Sequence, residues 1–381
     1  MNYFSDYHDH HLKLIETLKT ALYARDSSIF EKLDYYNEEI YAEPLFYACI
    51  NNNFAKWIDT LIFGFAKEQK PIWHINTTPI EEKLIYLPNT GYLELKSKYS
   101  KQVSLRYIDN VIEIRDIDGN ILDYESQELI KNELGIEFFK CNHPLLKPLF
   151  VDEQGEITDV IINQNLFANH TEHFNKALHT IKKVYPEYFN LIVKYIKKVV
   201  FFKGSANSFA TIQAHGISFF NIKDDYDEIF FVDNIMHQCA HAFFNTLTLH
   251  KSDLFTIAPS SDLSMFTKDK SDIGAELYDR FHGLFTQSNI NICLEKCIQQ
   301  KLFNGDKHNE LLGRFSSNMK RFSVALEKFE NLEIYKAVGI KWLEFFKETY
   351  TQIHQRNRLL LSKYNVSNQS YVFDYNIFLS T

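Results

Sequence analysis

Residues 224–249 read DDYDEIFFVDNIMHQCAHAFFNTLTL, and this stretch decides the reading of the fold. Asp224, Asp225, Asp227 and Glu228 stand ahead of an apolar segment free of Gly and Pro. Carboxylates are stabilised at the positive end of a helix dipole, so the stretch predicts a helix from about Ile229 to Leu249. The preceding FFKGSANSFATIQAHGISFF, residues 201–220, is rich in small, hydroxyl-bearing and β-branched residues. It predicts one or two short strands bracketing a loop at Gly204–Asn207.

Farther out, helical spacing dominates. Phe174, Leu178, Ile181 and Val184, then Phe189, Ile192, Val193 and Ile196, mark residues 165–200. The same period predicts a long helix from about Asp272 to Leu302 and helical segments over Leu311–Leu326 and Leu332–Leu361. Two or three helices are expected in residues 8–66, on Leu12, Ile15, Leu18 and Leu22 and on Phe46, Ile50, Phe54, Trp57, Ile58 and Leu61. Between Trp73 and Ile121 the pattern changes: LIYLPNTGYLELKS, VSLRYI and NVIEIRDIDGNIL alternate apolar with polar residues, with turn signals at Pro88-Asn89 and Asp118-Gly119. That is the signature of a small antiparallel sheet. Twelve Gly and eight Pro in 381 residues are few, since average usage would supply roughly 12%. The expected class is mainly α (α+β), with a helical region over 1–200 carrying the sheet at about 73–121, and a second helical region over 201–381 built around residues 229–249.

Forty-nine acidic against 41 basic side chains give a net charge of −8, which argues against a nucleic-acid partner. Five scattered cysteines are too few for a disulfide framework in a chain of this length, so a reducing compartment is expected. The start, MNYFSDYHDHHLKLIETL, is polar and acidic where a signal peptide is basic and then apolar. Apolar runs such as Val199 to Phe202 fall far short of the roughly 20 residues that span a bilayer. A soluble cytoplasmic protein with no membrane partner is expected.

The chemistry concentrates in Asp233 to Phe244, DNIMHQCAHAFF. His237 and His241 are at i and i+4 on the expected helix, so both imidazoles reach one ion. The spacing matches HExxH except that Gln238 stands where a zinc hydrolase has its general base, and an amide cannot accept that proton. Two ordinary helix histidines would give the same bare pattern. A third ligand is offered by Glu276 or His282, which lie about 120° apart around one helix. Tyr278, Asp279, Thr286 and Asn289 share the face of His282, as a site wall or a solvated surface. Cys293 and Cys297 are read as buried small hydrophobes, Cys239 as facing away from the two histidines, and His8, His10 and His11 as solvated.

Three blocks resemble the HExxH-motif peptide-modification family, which is associated with ribosomally synthesised peptide natural products (RiPPs) and includes 2-oxoglutarate-dependent peptide β-hydroxylases. They are Ser205 to Phe220, SANSFATIQAHGISFF; Asp233 to Phe244; and Tyr278 to Cys293, YDRFHGLFTQSNINIC; with a weaker echo at Ala337-Val338-Gly339-Ile340. The resemblance implies that His237, His241 and His282 hold Fe(II), with open positions for 2-oxoglutarate and oxygen. Such an oxygenase needs no hydrolytic base, and Gln238 is able to hydrogen-bond a metal-bound water or a ligand carboxylate. The distal carboxylate of 2-oxoglutarate needs a cation. Arg280 is nearest in sequence, although about 200° of helical turn from His282, with Lys203 and Arg314 behind it. Ser205, Asn207, Ser208 and Thr211 would line the pocket or else bond their own turn. The expected function is hydroxylation of a precursor peptide at a β-carbon, beside another maturation enzyme. The alternatives are a catalytically silent peptide- or partner-binding module and a zinc hydrolase working through Glu276 or Asp233.

Overall fold

A computed structural model describes residues 3–52, 54–65, 74–108, 111–267, 269–329, 332–370 and 372–380. The chain is 53% helical and carries small three-stranded sheets, a mainly α (α+β) fold. In chain order the first helices are α1 (Tyr3–Arg25), α2 (Ile29–Lys32), α3 (Glu38–Tyr41), α4 (Pro44–Asn51) and α5 (Phe54–Phe63). Strands follow as β1 (His74–Thr77), β2 (Leu84–Leu87), β3 (Gly91–Leu95), β4 (Val103–Ile108), β5 (Val111–Arg115), β6 (Tyr124–Gln127) and β7 (Glu137–Phe138). Then come α6 (Gln164–Val184), α7 (Pro186–Tyr195), β8 (Lys198–Phe202), β9 (Ile217–Asn221), α8 (Glu228–Leu247) and α9 (Ser264–Thr267). The chain ends with α10 (Leu277–Gln299), α11 (Gly305–Phe329), α12 (Ala337–Leu361) and α13 (Tyr375–Leu379). Among the described residues no helix is long and apolar enough to cross a membrane.

The chain forms two compact bodies, one of residues 1–10, 170–192 and 225–381, the other of 11–169 and 193–224. In the first body α10 packs against α8, α11 and α12. Being covered by three helices, it is buried at polar as well as apolar positions, Thr286, Ser288, Asn289 and Asn291 among them. Polar side chains survive there by bonding the preceding turn: Ser288 Oγ donates to Leu284 O at 2.8 Å and Asn289 Nδ2 to Phe285 O at 2.9 Å. Asn289 Oδ1 in turn accepts from Tyr3 at 2.6 Å. The polar stripe of Tyr278, Thr286 and Asn289 therefore faces inward, and only Asp279 of that set is exposed. Gly339 lets α12 dock, because a Cβ there would sit 2.1 Å from the carbonyl oxygen of Leu254.

The second body holds the sheets. Two are antiparallel, ordered β1-β4-β5 and β2-β3-β6, and the third, β7-β8-β9, is parallel. The expected single sheet over 73–121 is thus two sheets reaching Gln127, and Trp73 lies outside the described residues. β6, with the polar sequence YESQ, carries no alternation and is fixed only by pairing with β3. Phe63, Ile85, Leu93, Leu105 and Ile114 form the core between α5 and these strands. At the β2–β3 turn Asn89 and Gly91 have positive φ, and a side chain at Gly91 would collide with Gln127 O. β8 is buried along its whole length and β9 along nearly all of it, the continuous apolar pattern of parallel strands. Among the described residues of 8–66 there are five helices, the first begun at Tyr3, where two or three were expected, since α2 and α3 are single turns too short to show a period.

Two buried polar features belong to this body. Lys198 Nζ contacts Glu137 at 2.6 Å, Glu43 at 3.0 Å and the Tyr86 hydroxyl at 2.8 Å. His11 is buried, not solvated, with its ring 4.5 Å from that of Tyr195 and 5.6 Å from that of His215.

Candidate functional site

α8 begins where Asp227 accepts a hydrogen bond from Ile229 N at 2.8 Å, one residue from the start read in the sequence. One turn separates His237 from His241, and their rings stack with centroids 5.0 Å apart. α10 brings His282 to the same place: its Nε2 lies 3.1 Å from Nδ1 of His241. Phe244 packs 5.1 Å from the His282 ring and against Phe285 and Trp342, and Tyr278 meets His282 edge-on at 5.5 Å.

This setting has an electrostatic consequence. Burial, with Arg321 and His282 adding to it, pushes His237 down to about 4. Burial and then His237 push His241 down to about 3, and burial followed by His241 holds His282 well below the usual histidine range. Each of these shifts favours the neutral imidazole, the form that binds a metal.

Next to them is a cavity of about 510 Å³ whose wall includes His237, His241, Arg280, Gln287, Lys320 and Arg321. Gln238 is buried beside the histidines, and its Oε1 has no hydrogen-bond partner. An orphaned acceptor there suits a water or ligand hydroxyl. His237 neighbours His241 and His241 neighbours His282, and imidazole nitrogen is a donor type that first-row metals accept. The rings as placed are not a finished cage. His241 and His282 are within hydrogen-bonding distance of one another, and among the described residues no group of three or more His, Cys, Asp or Glu side chains is arranged to hold a metal.

The other candidate residues are bonded locally or exposed. Asp233 accepts from Arg314 at 3.0 Å and from Asn318 at 3.2 Å, and Arg314 also holds Glu310. This buried network fastens α8 to α11, and it occupies both Asp233 and Arg314. Glu276 is exposed at the start of α10. Ser205, Asn207 and Ser208 lie in the β8–β9 connection of the second body. There Ser205 Oγ is 2.8 Å from Thr158 Oγ1, Ser208 Oγ accepts from Asn221 N at 2.9 Å, and Asn207 is exposed. Lys203 pairs with Asp224 and Thr211 caps a short 3-10 turn. Cys293 and Cys297 are fully buried, and all five cysteines are free thiols.

Lys320 and Arg321 escaped sequence reasoning. With Ser317, Val324 and Lys328 they form a stripe of α11 at helical spacing, which in the sequence alone looks like a solvated face. A comparison with known protein families and with curated proteins finds no match.

Proposed function

We propose that the protein is an Fe(II)- and 2-oxoglutarate-dependent oxygenase that hydroxylates a β-carbon in a ribosomally made precursor peptide. The observation that carries this reading is the meeting of three neutral histidines, His237, His241 and His282, beside a cavity that also holds guanidinium groups. These histidines would hold the iron. Bound with a 2-oxo acid and oxygen, the metal supplies oxidative decarboxylation of that acid coupled to oxygen insertion into a C–H bond.

The chain's own residues have separate tasks. Phe244 and Tyr278 pack on His282, and its burial favours the deprotonated imidazole. Arg280 and Arg321 both line the cavity, and Arg321, whose charge reaches His237, is assigned the distal carboxylate of 2-oxoglutarate. Bidentate pairing suits that role. Gln238, next to His237 in sequence, offers a buried acceptor without a hydrogen-bond partner and would accept from a donor without taking its proton. Ser205 and Ser208 bond within their own body, to Thr158 and Asn221. Five cysteines outside any disulfide suit a cytoplasmic protein, and a further maturation enzyme is the partner that the peptide-modification reading implies.

The direct His241–His282 contact favours a second reading, a metal-free module that binds a peptide or partner. A zinc hydrolase ranks last, because Asp233 is held by Arg314 and Glu276 is exposed at the helix start. Incubation of a cognate precursor peptide with protein, Fe(II), ascorbate and 2-oxoglutarate, followed by intact mass, separates the three. Gain of one oxygen supports the oxygenase, shorter fragments the hydrolase, and an unchanged peptide that co-purifies the binding module.

A further inference from the structure

The cavity beside His237 and His241 has a charge that metal binding does not use. Arg280 on α10 and Lys320, Arg321 and Lys328 on α11 line it, against Asp272 and Asp279. Lys328 is taken up by Asp272 at 2.6 Å and Asp269 at 3.1 Å. Arg280 and Lys320 then face Asp279, the carboxylate of this lining not taken up by Lys328, on a chain whose net charge is −8. Arg280 and Lys320 are exposed and, among the described residues, enter no ion pair. Arg321 donates one N–H to Ser370 O at 2.7 Å, which ties the wall formed by residues 366–370 to α11.

The same lining contains two amides with an unmade bond. Gln287 Oε1 is a buried acceptor without a partner, and Gln369 Nε2 is a buried donor without one. Together they complement the N–H and C=O of a peptide group, and unpaired buried polar atoms are costly unless something pairs with them.

We infer that the cavity receives an extended acidic peptide segment, with an Asp or Glu side chain against Arg280 and Lys320 and the main chain at Gln287 and Gln369. This rests on the peptide-modification reading for the nature of the ligand. Binding requires neither metal nor 2-oxo acid, so it can be tested while that reading stands or falls separately.

The probe is a rhodamine-labelled peptide of alternating Gly and Glu, followed by fluorescence anisotropy with the full-length protein and compared with its Gly and Gln counterpart. We expect the acidic peptide to bind about tenfold or more tightly than the amide one, with affinity falling as salt rises. Arg280→Glu combined with Lys320→Glu should weaken it about tenfold or more, while Lys341→Glu, an exposed change on α12, should leave it intact. Equal affinity for the two peptides overturns the proposal, as does acidic-peptide binding untouched by the double reversal. Displacement by glutarate as effective as by unlabelled acidic peptide also overturns it, since the cavity would then recognise only a small dicarboxylate. A melting curve checks that the reversal folds, and the pair Arg280→Gln and Lys320→Gln replaces it if it does not.

Discussion

His241 and His282 lie 41 positions apart in the sequence, and their rings meet with Nδ1 of one 3.1 Å from Nε2 of the other. Burial keeps both neutral, so the contact joins one N–H donor to one lone pair and involves no charge repulsion. A metal would compete with this hydrogen bond for the same lone pairs.

Replacing His237, His241 or His282 by Ala should therefore lower occupancy by Fe(II) or another divalent first-row metal roughly tenfold or more, because no neighbouring donor substitutes for a lost coordinate bond. Metal content after reconstitution and desalting measures it. Full retention in all three variants would remove the site, and retention in His282→Ala alone would point to a different third ligand.

Lys198 is buried with two carboxylates around it. Burial alone lowers an amine's pKa, yet Glu137 and Glu43 outweigh it and Lys198 is held above its usual value. Lys198→Met would strand Glu43 and Glu137 without a counter-ion, and we expect a loss of about 3–5 kcal/mol. Urea denaturation of the two proteins tests this, and a loss under about 1 kcal/mol would mean that the two carboxylates accommodate one another by sharing a proton.

Gly339→Ala should destabilise the first body by about 1–3 kcal/mol, since the new methyl would meet backbone, the Leu254 carbonyl, and not a side chain free to rotate away. The long helices were legible from apolar spacing, and so was the pairing of His237 with His241, because both depend on local periodicity. Docking contacts such as Gly339 on Leu254 were not, since nothing in AVGI distinguishes a close approach from a helix start. For the same reason Arg280 was found by its nearness to His282, whereas Lys320 and Arg321 reach the cavity only because α11 packs on α10. Asp233 and Arg314 illustrate the converse: each looked available in sequence until tertiary packing paired them.

Acid should destabilise the protein through its buried neutral histidines. In the second body burial, and then the charge of Lys198, push His143 down to about 3, and burial pushes His215 down to about 4, from an ordinary 6.5. A depressed histidine pKa gives stability that is fully present above 6.5 and is lost as pH falls toward the folded value, because only the unfolded chain takes up the proton. Each such group should cost about 2 kcal/mol between pH 7 and pH 5. His143→Gln should flatten that dependence by about the same amount in urea titrations at the two pH values. An unchanged slope would mean that His143 accepts a proton in the folded state.

Gln238→Glu decides between the two metal chemistries. The glutamate would place a carboxylate at the position of a hydrolytic base, next to His237 on α8, where the native amide leaves an unpaired acceptor. If the site is a hydrolase disabled by its amide, the native protein should be inert toward peptides and the variant should gain cleavage, since a proton acceptor is restored beside metal-bound water. If the site is an oxygenase, the native protein should consume 2-oxoglutarate in the presence of its peptide, and the variant should retain that activity within about tenfold without producing fragments. The glutamate enters a buried position, only 2% exposed in the native residue, which raises the pH above which it is ionised and able to act as a base, and leaves it neutral below that pH. In that form it donates where the amide oxygen only accepted, and a shift in the pH profile of 2-oxoglutarate turnover should accompany the substitution. Cleavage by the variant, with no 2-oxoglutarate consumption by the native protein, would overturn the oxygenase reading.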